Sequence, residues 1–136
     1  PLLDSAGLEP ALRQQLVKLA ERTGCKTEVT WLLDERLDRD LEMVAFRVVQ
    51  EALANVARHA DASTVRVWGE REGPMVVIAV ADDGVGFDPQ VASERAAATG
   101  HLGLRSMAER IQTAGGHLEI SSRPYQGTQV VLRLPG

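Results

Sequence analysis

The clearest pattern of hydrophobic and polar positions lies in the middle of the chain, over residues 43–60. Apolar residues recur there at intervals of three and four, the spacing of one face of an α-helix. We expect this face to be buried; it comprises Met43, Phe46, Val49, Leu53, Val56 and Ala60. The opposite face carries an acid, an amide, a cation and an imidazole, namely Glu51, Asn55, Arg58 and His59. Solvated helix faces usually alternate Lys and Glu. This face is therefore predicted to be a site.

Other segments show the periodicities of helices and strands. Helices are predicted over residues 8–22, with an apolar stripe of leucines, and over residues 104–114; each is followed by glycine. Strands are predicted over residues 26–32, 64–68, 75–81, 118–121 and 129–134. The first is typical of an edge strand, and the continuous apolar run of the third is typical of a central strand. This order predicts an α+β fold, with helices on one face of a mixed, mostly antiparallel sheet.

Residues 82–99, between the third strand and the last helix, contain glycines, a proline and an alanine-rich polar stretch. They are predicted to form a loop of roughly 18 residues, and loops of that length inside compact domains are usually functional. The regular βαβ alternation of a dinucleotide-binding fold is not predicted. The G-x-x-x-x-G-K-[ST] phosphate loop does not occur in the sequence.

Composition and charge narrow the function classes. A chain of 136 residues with 44% hydrophobic and 25% charged residues is typical of one globular domain. The net charge of −4 gives no reason to expect a nucleic acid or an anionic membrane as partner. The single cysteine, Cys25, excludes an internal disulfide and is expected to fill a buried or half-buried place. No apolar run of membrane-spanning length and no signal peptide are recognised. We expect a cytoplasmic domain without direct membrane contact, and the sequence leaves open whether the parent protein is membrane-anchored.

Three segments that contain glycine follow the central helix. Residues 82–86 read Asp-Asp-Gly-Val-Gly, which alone is more typical of an ordinary turn, although a carboxylate there can accept a hydrogen bond from a ring amino group. Residues 100–104 read Gly-His-Leu-Gly-Leu and open a helix, where backbone N–H groups can hold a phosphate. Gly127 and Thr128 are, by themselves, typical of a tight hairpin turn.

Together and in this order, these segments resemble the ATP-binding domain of two-component sensor histidine kinases. That superfamily also contains gyrase-type ATPases, MutL-type repair proteins and the heat-shock chaperone ATPase. The nitrate-sensor and desaturase-sensor branch typically reads R-x-V-Q-E-A-L-x-N-x-x-x-H-A and G-H-x-G-L-x-x-M-x-E-R, and residues 47–60 and 100–110 match these two motifs. Gly7 and Leu8 also resemble the start of the domain in that branch. The resemblance covers essentially the whole chain and implies a two-layer α/β sandwich of the Bergerat type.

The resemblance implies roles for the polar face of the central helix. Asn55 matches a Mg²⁺ ligand, which would complete a coordination shell of phosphate and water oxygens. Glu51 matches an acid near the γ-phosphate, a candidate base for the attacking histidine, and Arg58 matches a cation that reaches the phosphates. His59 matches a position that either supports the helix or touches the nucleotide.

The glycine segments acquire roles in the same way. Asp82 matches the aspartate that accepts a hydrogen bond from the adenine 6-amino group, and Thr128 matches a threonine near the base. The remaining matches are the residues expected to let the purine approach or to surround the phosphates: Gly84, Gly86, Gly100, His101, Gly103 and Leu104. Many relatives carry Asn where this chain has Asp83, so nucleotide contact by that side chain is not implied. Residues 87–99 would form a short lid over the phosphates.

The implied function is transfer of the γ-phosphoryl group of Mg·ATP to a histidine, followed by relay to an aspartate of a response regulator. None of the three histidines here has the context of the acceptor, which in this family lies on a preceding dimerisation domain. We therefore expect the chain to be a fragment of a homodimeric kinase, with residues 1–7 ending a linker and residues 8–136 forming the ATP-binding domain. Two alternatives remain open: a serine kinase of the anti-sigma-factor type, and a nucleotide-binding interaction module without transfer activity.

Overall fold

The computed structural model describes residues 2–85 and 102–136. Within them, the helices and strands follow the predicted order, with one short helix in addition at the start. The helices are α1 (Leu2–Ala6), α2 (Leu8–Thr23), α3 (Arg39–Asn55), which continues into a π-helical turn (Val56–Ala60), and α4 (Leu102–Thr113). The strands are β1 (Lys26–Trp31), β2 (Thr64–Glu72), β3 (Met75–Asp82), β4 (His117–Ser122) and β5 (Thr128–Pro135).

The five strands form one sheet in the order β1-β2-β3-β5-β4. Strand β1 pairs in parallel with β2, and every other pair is antiparallel. The predicted α+β class, with a mixed and mostly antiparallel sheet, is confirmed. The position of β1 at one edge and of β3 at the centre is confirmed too, and the residues from Val76 to Val80 are all buried.

One face of the sheet carries the core. Alternate side chains of β2, β3 and β5 are buried on it, and α2, α3 and α4 contact the sheet. The predicted leucine stripe of α2 is confirmed, because Leu8, Leu12, Leu16 and Leu19 are all buried. The opposite face is partly exposed, with Arg66 and Gln129 among its exposed residues. Within the described parts of the chain, no helix is long and apolar enough to span a membrane.

The predicted buried face of α3 is wrong in part. Val49, Leu53 and Val56 are buried as expected, but Met43 and Phe46 are only half-buried. The buried positions of the helix are instead Glu42, Ala45, Val48, Val49, Ala52 and Leu53. Because α3 contacts α2 and α4 as well as the sheet, its buried surface is wider than one stripe and includes small residues where neighbours approach closely.

A buried charge lies on that face. Glu42 is only 3% exposed, and its carboxylate accepts hydrogen bonds from Nε and Nη2 of Arg36, the latter at 2.9 Å. The hydrogen bond to Glu42 raises the pKa of the Arg36 guanidinium. The Arg36 side chain lies directly over Gly7, which joins α1 to α2. This ion pair therefore fixes the start of α3 against the first connection of the chain.

Candidate functional site

Three polar side chains at the end of α3 and in the turn that follows it are in contact with one another through Arg58. We call this group, Glu51, Asn55 and Arg58, the Arg58 cluster. Nη2 of Arg58 donates a hydrogen bond to Oδ1 of Asn55 at 2.8 Å and lies 3.5 Å from Oε1 of Glu51. Helical spacing explains the grouping, since residues four and seven positions apart share one face. The Glu51 side chain is 24% exposed and that of Arg58 is 45% exposed, so the cluster lies at the surface but is partly shielded. One guanidinium therefore contacts both the predicted Mg²⁺ ligand, Asn55, and the predicted catalytic acid, Glu51.

The helix changes its winding at this cluster. After Asn55 the chain forms the π-helical turn, and the next residue, Asp61, adopts a left-handed conformation at φ 49°. The N–H of Val56 is shared between the carbonyls of Ala52 and Leu53. Such π-helical turns are rare and occur frequently at functional sites. Neither the turn nor its position was predicted from the periodicity of the sequence.

Asp82 ends β3 on the helix-facing side of the sheet. In the strand register it stands between Val65 of β2 and Thr128 of β5, and Thr128 stands beside Ser122 of β4. The hydroxyls of Ser122 and Thr128 are hydrogen-bonded at 2.8 Å. A row of polar side chains therefore crosses three strands, directly beyond the buried valines of the core. We call it the Asp82 row; it consists of Asp82, Thr128 and Ser122. Ser122 was not predicted as part of this row.

Burial sets the electrostatics of Asp82. Burial raises the pKa of its carboxyl, while hydrogen bonds from the backbone of Gly84 and Thr128 partly oppose that shift. The N–H of Gly84 donates to Oδ1 at 2.8 Å, which closes a turn over the strand end. A half-buried carboxylate held in this way retains acceptor capacity for a donor N–H of a flat ligand.

Asp83 has a structural task. Its Oδ1 accepts hydrogen bonds from the N–H groups of Ser63 and Thr64 at 2.8 and 2.9 Å. The hydrogen bond with Thr64 lowers the pKa of the Asp83 carboxyl the most. The side chain therefore ties the segment after the π-helical turn to the end of β3. Asp83 thereby connects the part of the site that contains Arg58 to the part that contains Asp82.

Gly127 permits a close approach between its own backbone and that of Asp82. Its φ is +82°, and a Cβ on it would lie 3.1 Å from the carbonyl carbon of Asp82 and nearer still to the carbonyl oxygen. Any other residue would displace β5 from β3 at the very point where Asp82 and Thr128 pair. The glycine predicted as a hairpin turn is therefore also a packing requirement of the Asp82 row.

The other predicted site residues are three further glycines, two histidines and Leu104. Gly86, Gly100 and His101, together with the predicted lid at residues 87–99, lie outside the described residues. Gly103 and Leu104 belong to the first turn of α4, which begins two residues earlier than predicted. His59 belongs to the π-helical turn. The described site thus consists of the Arg58 cluster and the Asp82 row, with Asp83 between them.

The donor chemistry at the Arg58 cluster fits a hard cation. Within residues 2–85 and 102–136, no three His, Cys, Asp or Glu side chains converge as a metal site. Nevertheless, the amide oxygen of Asn55 and a carboxylate oxygen of Glu51 both lie close to the Arg58 guanidinium. Such oxygens are the ligand types that Mg²⁺ prefers. A Mg²⁺ bound mostly through phosphate oxygens needs only one or two such protein ligands.

Comparison with known proteins gives consistent results. A model of the histidine kinase-, DNA gyrase B- and HSP90-like ATPase family matches residues 41–136. The chain is 34% identical to the signal transduction histidine-protein kinase/phosphatase DegS of Brevibacillus brevis and 36% identical to the sensor histidine kinase NarS of Mycobacterium tuberculosis. Each match covers 98% of the chain, but only 33% and 31% of those relatives. The chain thus spans about a third of the length of these curated relatives.

Solved structures show the same fold. The histidine kinase domain of the Erythrobacter litoralis EL346 blue-light activated histidine kinase superposes with a TM-score of 0.72 at 19% identity, covering 91% of the chain and 58% of that domain. A second structure, of the EL346 kinase, gives a TM-score of 0.75 at 22% identity and covers 94% of the chain and 41% of its own. At such low identity the likeness concerns the fold.

Proposed function

The chain belongs to the histidine kinase-, DNA gyrase B- and HSP90-like ATPase family, and we propose that residues 8–136 are the ATP-binding catalytic domain of a sensor histidine kinase, residues 1–7 ending a linker. Its role is to transfer the γ-phosphoryl group of Mg·ATP to a histidine on a dimerisation domain of the same homodimeric kinase. A response-regulator aspartate then receives the phosphoryl group. The single observation that carries the proposal is the half-buried carboxylate of Asp82 at the end of the central strand, on the face covered by helices.

Asp82 selects the base. Its carboxylate is fixed by the Gly84 N–H and has further acceptor capacity, so it can accept a hydrogen bond from the 6-amino group of adenine. Guanine presents a carbonyl oxygen at the corresponding position, which a carboxylate repels. Thr128, paired with Asp82 in the register and bonded to Ser122, lies where its hydroxyl can reach the base through water.

The Arg58 cluster serves the phosphates. Asn55 would hold Mg²⁺ through Oδ1, and Arg58 would bind phosphate oxygens through charge-assisted hydrogen bonds. When bound, Mg²⁺ neutralises charge that develops on the transferred phosphoryl group. Gly100 and Gly103, with the first turn of α4, would supply backbone N–H donors to the remaining phosphate oxygens.

Glu51 is the catalytic candidate. A loose phosphoryl transition state needs positioning and electrostatic compensation more than strong base catalysis. The Glu51 carboxylate already lies within reach of the Arg58 guanidinium, so it can orient both that cation and an N–H of an incoming imidazole. Removing its charge should therefore lower phosphoryl transfer while leaving ATP binding nearly intact.

The test is calorimetric titration of the chain with ATP and GTP in Mg²⁺ buffer. We expect ATP to bind and GTP not to bind. In Asp82→Asn an amide N–H can face the adenine amine, and loss of a charge-assisted hydrogen bond worth about 1.5–3 kcal/mol predicts roughly ten- to a hundredfold weaker ATP binding. Asp34→Asn, in an exposed loop, removes the same charge and should bind ATP normally.

The stability of Asp82→Asn shows whether weaker ATP binding comes from a lost hydrogen bond or from unfolding. Burial raises the pKa of Asp82, so this group contributes stability that is present at low pH and is lost as pH rises through its folded pKa. At neutral pH the ionised carboxylate is therefore a cost, and Asp82→Asn should unfold no earlier than the wild type. Unchanged ATP affinity in a folded Asp82→Asn variant would contradict the assignment.

A further inference from the structure

The Arg58 guanidinium occupies the position beside Asn55 that the proposed Mg²⁺ would take. Its Nη2 donates to Oδ1 of Asn55 at 2.8 Å, and the same nitrogen lies 3.5 Å from Oε1 of Glu51. The oxygen that Asn55 would offer to Mg²⁺ is therefore already engaged by a positive group from the same helix.

Two cations cannot share this oxygen at low cost. A carbonyl oxygen has two lone pairs, but a divalent ion and a guanidinium on the same atom would stand only a few ångströms apart and repel each other. Arg58 must therefore leave Asn55 before that oxygen can serve a metal. The side chain is 45% exposed, and its long stem has room to swing outward.

We propose that Arg58 is a resident cation that occupies the side-chain oxygens of Asn55 and Glu51 in the nucleotide-free domain, and that binding of Mg·ATP displaces it from Asn55. The triphosphate offers Arg58 alternative acceptors, and Oδ1 of Asn55 exchanges the guanidinium for Mg²⁺ only when the nucleotide carries the metal. This inference rests on the proposed function. It adds an order to that function: the domain should bind divalent metal poorly by itself and well only together with the nucleotide.

The first test uses Mn²⁺ alone as a paramagnetic probe of the nucleotide-free domain. In the wild type, Mn²⁺ should not selectively broaden the amide NMR signals of residues 51–55. In Arg58→Met, which removes the charge but keeps an extended stem, Mn²⁺ should broaden them. Arg66→Met removes an equal charge from the opposite sheet face and should behave as the wild type. Equal Mn²⁺ effects in the wild type and Arg58→Met would overturn the proposal.

The second test compares ATP affinity in Mg²⁺ and in EDTA. A simple phosphate contact by Arg58 would contribute to both affinities, so its loss would leave their ratio unchanged. If Arg58 is displaced by the metal, part of the free energy of Mg²⁺ binding in the wild type is used to break the contact between Arg58 and Asn55. The Mg²⁺ to EDTA affinity ratio of Arg58→Met should therefore rise, by roughly two- to tenfold for a partly exposed charged hydrogen bond. An unchanged or lower ratio would overturn the proposal.

A matching variant removes the other side of the contact. Asn55→Ala lacks the contested oxygen, so the Mg²⁺ to EDTA ratio should fall, and adding Arg58→Met to it should no longer raise the ratio. If the double variant still showed the rise, Arg58 would act elsewhere. Wild-type protein that binds no ATP in either buffer would refute the proposed function instead, and the Mn²⁺ experiment would still decide the place of Arg58.

Discussion

Gly127→Ala tests whether the contact between Gly127 and Asp82 shapes the site. An Ala at φ +82° costs about 1–2 kcal/mol in the left-handed region. The smaller entropy of the unfolded chain offsets about 0.4–1 kcal/mol of that cost. The new Cβ would also meet the carbonyl group of Asp82, which belongs to the central strand and cannot turn away. Overpacking of this kind adds about 1–3 kcal/mol, so the total destabilisation should be about 1–4.6 kcal/mol.

Gly24→Ala is the matched control. Gly24 ends α2 at φ +78°, and a Cβ on it would meet no atom within 4 Å. It therefore carries only the conformational cost, about 0–1.6 kcal/mol after the entropic offset. The two variants share the conformational terms and differ by the overpacking of about 1–3 kcal/mol. In urea, with a slope of about 2 kcal/mol per molar, the unfolding midpoint of Gly127→Ala should therefore lie about 0.5–1.5 M below that of Gly24→Ala. Gly127→Ala should also weaken ATP binding. Equal midpoints for the two variants would refute the close approach.

Two further predictions concern labelling and acid. Incubated with γ-labelled ATP, the chain alone should not label itself, because in-line geometry for an acceptor imidazole is worth several kcal/mol of barrier; efficient acid-labile labelling would show an internal acceptor. Asp83→Ala should lower the melting temperature at pH 7, whereas Asp83→Asn, which keeps an acceptor oxygen, should lower it less. Because the hydrogen bond with Thr64 lowers the pKa of the folded Asp83 carboxyl, its stabilisation is present above its unfolded pKa of about 3.9 and is lost as pH falls through the lower folded value. The melting temperatures of the wild type and Asp83→Asn should therefore converge as pH falls below about 4.

Periodicity predicted the fold well, since the sheet side of each strand follows from alternation and the leucine stripe of α2 follows from spacing. It could not predict that α3 would be enclosed by other helices as well as the sheet, which brings Ala45 and Ala52 inward. Nor could it predict Glu42 as a buried residue, because its partner Arg36 lies in an irregular segment whose path depends on tertiary packing. A charge at an inward position beside an arginine-bearing loop was the only signal.

The sequence predicted which residues belong to the candidate site, but it did not predict the contacts between their side chains. Motif spacing placed Glu51, Asn55 and Arg58 on one face, and the structure adds that Arg58 contacts both of the others. Asp83 shows the limit more clearly. As the second residue of an Asp-Asp-Gly sequence it is indistinguishable from a turn residue, and its bonds reach back about twenty positions to Ser63 and Thr64. Contacts of that separation depend on the folded register of β2 and β3.

The Asp83 contact also has a thermodynamic consequence for a ligand with two ends. Because this carboxylate joins the segment after the π-helical turn to the end of β3, the Arg58 cluster and the Asp82 row are held at a fixed separation. A molecule bound at one end then presents its other end at a high effective concentration, as a short tether would. Adenosine and inorganic triphosphate, supplied as separate molecules, lack that advantage. Their combined binding should fall far short of that of ATP, and Asp83 contributes to that shortfall by keeping the two parts of the site in place.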